Sequence, residues 1–164
     1  MAETQREPVP RVDSGELDTG LAFLTFARHC VLKKADGLDD GQLRRVLVDS
    51  GTSILGLIQH LAEAERYWFG YHLTGAAWDV DQEYGMAVPA DRAAGDVLRD
   101  YRQAIEDSDR AIHAVGDPDA RMAVPVDGNR HTLRWVVAHM TNETARHAGH
   151  ADILREQIDG TTGR

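Results

Sequence analysis

Apolar residues recur at three- and four-residue steps over four stretches of the chain, separated by segments rich in Gly, Pro, Asp and Ser. Leu17, Leu21, Leu24, Arg28, Val31 and Leu32 mark one face of a helix expected from Glu16 to about Ala35. Asp39-Asp40-Gly41 opens a shorter helical piece through Val46-Leu47, with an Asp as the expected cap. Ser50-Gly51-Thr52-Ser53 interrupts it, and Thr52 or Ser53 can cap a long helix running to about Thr74 and ending at Gly75. No period is visible from Gly75 to Ala90, which predicts a long loop of the kind compact domains tend to use for function. A third long helix is expected from about Asp91 to Val115, with Val97, Leu98, Tyr101, Ala104, Ile105 and Ile112 on one stripe, stopped by Gly116-Asp117-Pro118. After an irregular connection around Asp127-Gly128-Asn129, the last helix runs from about Thr132 to Ile158 and closes at Gly160.

Four long helices with little strand signal predict an all-α fold, a four-helix bundle with a short extra helix and irregular loops at the bundle ends. Residues 1–14, punctuated by Pro8 and Pro10, read as a loose arm, 15–160 as a single domain and 161–164 as a tail. The 164 residues are enough to bury a core without covalent or metal staples, and 42% hydrophobic with 27% charged residues is ordinary for a globular protein. Cys30 is the only cysteine, so no internal disulfide can form and a reducing cytoplasm is the expected setting. The first fourteen residues lack an apolar core and no eighteen-residue apolar run exists, so neither a standard signal peptide nor a membrane span is expected. The net charge of −9, with cations paired only at Lys33-Lys34 and Arg44-Arg45, lacks the clustered positive charge that nucleic-acid binding requires.

The bundle reading directs attention to polar residues that face inward. At about 100° per residue, Leu133, Val136, Val137, Met140, Thr144, Ala151, Leu154 and Ile158 share an arc of the last helix. His147 lies near the middle of that arc and Glu143, one turn earlier, about 40° to one side. An inward Glu beside an inward His is costly unless paired, protonated or bound to metal. The spacing fits an intrahelical Glu–His hydrogen bond as well as a pair of metal ligands. His139 and His150 fall toward the edge of the arc. His60 is a third candidate, at the margin of the stripe formed by Ile54, Leu57, Ile58, Leu61 and Trp68; nothing local says that its helix faces the last one. Glu65 falls inside that stripe, where an internal ion pair, a hydrogen bond to a ligand histidine and a proton-transfer role are all open. His29, His72, His113 and His131 read as surface or structural, and Trp68, Trp78 and Trp135 as packing residues.

The strings SGTSILGLIQHLAEAERYWF (Ser50 to Phe69) and HMTNETARHAGHADILREQIDG (His139 to Gly160) resemble the DinB-like superfamily, and more closely its DUF664 branch, related to mycothiol-dependent maleylpyruvate isomerases and mycothiol transferases. The likeness runs from about Glu16 to Gly160. It implies a four-helix bundle with a metal triad, one ligand from the second long helix and two from the last. Many relatives carry His-x-x-x-His followed by x-Gly-Gln on the last helix; here Glu143 replaces the first His, His147 matches the second, and His150 stands where Gln is common. The implied ligands are therefore His60, Glu143 and His147. Two histidines and a carboxylate leave coordination positions open, as in catalytic zinc sites, and nickel or ferrous iron suits the same donors. The resemblance implies thiol transfer, with mycothiol as co-substrate and a small electrophile as acceptor. Glu65 and His150 are the candidates for proton handling or ligand support, while Tyr67, Trp68 and the 75–90 loop are candidates for shaping the substrate pocket. Metal-dependent hydrolysis and a non-catalytic metal or stress-ligand binding module are the alternatives. The residues themselves do not reveal an oligomeric state; a homodimer is what the resemblance alone suggests.

Overall fold

The computed structural model describes residues 8–79 and 85–163. Five α-helices follow one another as α1 (Glu16–Lys33), α2 (Asp40–Leu43), α3 (Ile54–Glu65), α4 (Ala94–Val115) and α5 (Leu133–Asp159), and the helix begun by α3 continues as a π-helical segment over Arg66–Leu73. Local chemistry sets most of the boundaries. Ser53 and Thr132 accept hydrogen bonds from the backbone N–H groups of Gly56 and Trp135 at the starts of α3 and α5. Asp39 and Gln42 form a reciprocal capping box around α2. Gly116 and Gly160 end α4 and α5 in the left-handed region, at φ 64° and 77°.

Two boundaries differ from the periodicity, and each carries a tertiary contact. The short helix ends at Leu43 instead of reaching Val46-Leu47; at its cap the Arg44 side chain, on a backbone still in the right-handed helical region, donates across the fold to the carbonyls of Pro89 and Arg92. The third long helix starts at Ala94, and its first N–H is taken up at 3.2 Å by the carboxylate of Asp40, across the fold. Of the predicted 75–90 loop, residues 75–79 and 85–90 are irregular, and 80–84 lie outside the described residues.

The helices form two parallel pairs that run against each other. Glu16 pairs with Arg134, Gly20 abuts Val137, and Arg155 donates to the Lys34 carbonyl, so α1 and α5 run in the same direction. One core cluster joins the starts of α3 and α4 (Ile54, Leu57, Ile58, Val97, Tyr101) to the ends of α1 and α5 (Val31, Ala151, Leu154). A second joins Phe69, Leu73 and Ile112 to Leu24, Leu133, Val136 and Met140 at the other end. A parallel α3–α4 pair needs a long crossover, which the 74–93 connection supplies. That crossover packs closely on α3, where a Cβ on Gly56 would stand 2.1 Å from the Met86 carbonyl oxygen. No described helix is long and apolar enough to cross a membrane.

Candidate metal centre

Because α3 and α5 run antiparallel, His60 arrives opposite Glu143 and His147. His60 Nε2 and His147 Nε2 lie 3.1 and 3.0 Å from the same oxygen, Oε1 of Glu143. The donor atoms of all three residues fall within 4.8 Å of one another. The two imidazoles meet edge to face, with centroids 5.0 Å apart and planes at 77°. A tetrahedral ion bonded to N and O at about 2.1 Å has edges of about 3.4 Å between ligands, so this donor set has the span and chemistry a divalent metal requires. The intrahelical contact allowed by the 143/147 spacing is present, and the contact across to His60 converges on the same atom.

The side chains of His60, Glu143 and His147 are 17%, 28% and 11% exposed, so the cluster is shielded yet reachable from solvent. Burial opposes the charged form of Glu143, but hydrogen bonds and positive potential from His60 and His147 outweigh it and hold the carboxyl below its usual range. Burial pushes the His147 pKa down, helped by the neighbouring His60 and His150, while Glu143 pulls the other way and loses. An ionised Glu and a neutral His are the protonation states in which these groups bind metal.

His150, itself exposed, sets its Nδ1 3.2 Å from Nδ1 of His147 and borders a cleft of about 240 Å³ lined by Val48, Ser50, Thr52, Ile153 and Leu154. Glu65 is fully buried, and both its oxygens accept from Arg28, at 2.7 Å from Nε and 2.7 Å from Nη2. Arg28 also reaches Asp109, so a single guanidinium ties α1 to α3 and α4. Of the three roles left open for Glu65, the ion pair is the one its contacts display.

Tyr67 and Trp68 lie on the π-helical segment, T-shaped to each other with centroids 5.3 Å apart. Around them the structure shows more than the sequence suggested. His131, just before the Thr132 cap, stacks on Trp135 of α5, which stacks in turn on His139 one turn further on, with centroids 4.1 and 5.1 Å apart. His139 also touches Trp68 at 4.5 Å, and burial lowers its pKa against the pull of Glu143. The available signal was the spacing itself, since residues 135, 139, 143 and 147 follow one another at four-residue steps on the last helix. Elsewhere His72 is buried with Nδ1 3.0 Å from the Val124 carbonyl, whereas His29 and His113 are exposed.

Compared with known proteins, the chain matches the family model described as Mycothiol-S-transferase over residues 20–160. No curated protein matches it.

Proposed function

The chain belongs to the mycothiol-S-transferase family, and from that premise we propose that it transfers a low-molecular-weight thiol, mycothiol, to a small electrophile at a divalent metal held by His60, Glu143 and His147. The observation that carries this reading is the convergence of two imidazole nitrogens on one Glu143 oxygen between antiparallel helices. A metal held there, zinc being the best match to the donors, would supply the positive charge that lowers a bound thiol's pKa toward neutral pH. The sulfur then bonds to an electrophilic carbon. The thiol proton ends on the adjacent atom in an addition, or departs with the leaving group in a substitution.

The residues around the triad have separable roles in this reading. Nδ1 of His147 lies 3.2 Å from Nδ1 of His150; with Nε2 engaged by a metal, Nδ1 would carry the proton and donate to His150, which would hold the ring's direction. Glu65, held by Arg28, anchors the helix that bears His60. Tyr67 and Trp68 line the approach along the same helix, two turns or so beyond His60.

The test is thiol-dependent loss of an electrophile such as a bimane, followed with and without mycothiol and after chelation. Turnover that needs both the thiol and the metal supports the reading. Equal consumption without thiol would replace it with hydrolysis, and metal binding without any turnover would leave a binding module.

A further inference from the structure

Among the described residues no tryptophan is fully buried, and Trp68 only borders the core, packed against its second cluster. Among the same residues, Phe69 and Tyr101 are the only phenyl or phenol rings fully buried, and the buried members of the two core clusters are otherwise aliphatic or sulfur-bearing side chains. All three tryptophans sit instead in one connected, partly exposed ring cluster. Trp68 meets Trp135 at 5.5 Å and His139 at 4.5 Å, while Trp78 meets Tyr67 at 5.2 Å and Tyr67 meets Trp68 at 5.3 Å. Trp135 is 37% exposed, and Trp68, Tyr67, Trp78 and His139 are half-buried.

The cluster lies on the same seam as the triad. Trp68 is eight residues past His60 on one helix, and Trp135 is eight residues before Glu143 on its antiparallel partner. At a rise of about 1.5 Å per residue, the aromatic floor begins with His139 about 6 Å from Glu143 and extends to about 12 Å. Half-exposed indole and imidazole rings at this position gain most when a flat ligand ring removes their remaining surface from water in stacked or edge-to-face contact.

Resting on the transfer reading above, we propose that Trp68, Trp135 and His139 form the acceptor subsite, and that it selects electrophiles carrying a planar conjugated group beside the reactive carbon. The triad end of the seam receives the reacting atoms and the ring end receives the plane.

The test uses unreactive analogues, so that binding is read apart from turnover. N-phenylsuccinimide and N-ethylsuccinimide are titrated into the full-length protein by calorimetry, with the fold of each variant checked by circular dichroism. The wild type is expected to bind the phenyl analogue at least about fivefold more tightly than the ethyl analogue. Trp135→Leu and Trp68→Leu, which keep bulk but remove the ring, are expected to abolish that preference, and His147→Ala to retain it. A preference that persists in both Trp variants, or is absent from the wild type, overturns the subsite whatever the activity. A preference that follows the rings in a protein without thiol transfer upholds the subsite and removes the transfer reading alone.

Discussion

Arg28 and Glu65 each occupy an apolar helical stripe, and the structure explains both anomalies with one bidentate pair at 2.7 Å. Taking either partner away leaves a charge buried without compensation. Arg28→Met is therefore expected to cost about 3–5 kcal/mol in urea unfolding. Replacing both residues by apolar ones of similar volume should recover most of that loss. A small effect of the single change would mean that water reaches Glu65. Beside the pair, the Tyr101 hydroxyl is buried with no hydrogen-bond partner among the described residues, and burial together with the Glu65 charge pushes its pKa up. A hydroxyl in that position stabilises nothing, so Tyr101→Phe should leave stability unchanged or raise it by up to about 1 kcal/mol. A loss of more than about 1 kcal/mol would show that the hydroxyl is bonded after all.

At the scale of elements, what the sequence disclosed follows the reach of each cause. Ser53, Thr132, Gly116 and Gly160 act within a turn of their own helices, so the limits they set were readable from neighbouring residues. The first N–H of α4 is taken up by Asp40 and the Arg44 side chain at the end of α2 bonds carbonyls near residue 90, contacts that a local pattern does not encode. The π-helical run over Arg66–Leu73 was also illegible, since its residues would fill an α-helix equally well; π-helical turns are common at functional sites, and this one carries Tyr67 and Trp68. The long crossover is tied to α3 by contacts that can be challenged singly. Met86 lies over Gly56, Gln59 donates to the Ala87 carbonyl at 3.1 Å, and Arg92 donates back to Gln59 at 2.8 Å. Gly56→Ala drives a methyl into the Met86 carbonyl, which moves only with its backbone. The expected result is a loss of about 1–3 kcal/mol, with faster proteolysis in the crossover than elsewhere. Unchanged melting and cleavage would show that the crossover yields freely there.

For the whole molecule, the decisive fact is which helices face each other. Periodicity placed Glu143 and His147 inward but gave no means of setting His60 against them, and only the resemblance to known bundles joined the three. The parallel pairing of α1 with α5 and of α3 with α4, run against each other, is what closes the gap. It also explains why ring residues distant in sequence line the same seam. The most direct test of this account is the metal content of the purified protein, measured by elemental analysis on the wild type and on His60→Ala, Glu143→Ala and His147→Ala, each shown by circular dichroism to be folded. The account predicts a single divalent ion per chain in the wild type and a loss of at least about tenfold in affinity in every variant. Metal-free wild type after growth with supplied zinc, nickel or iron, or full metal content in the folded variants, would contradict it.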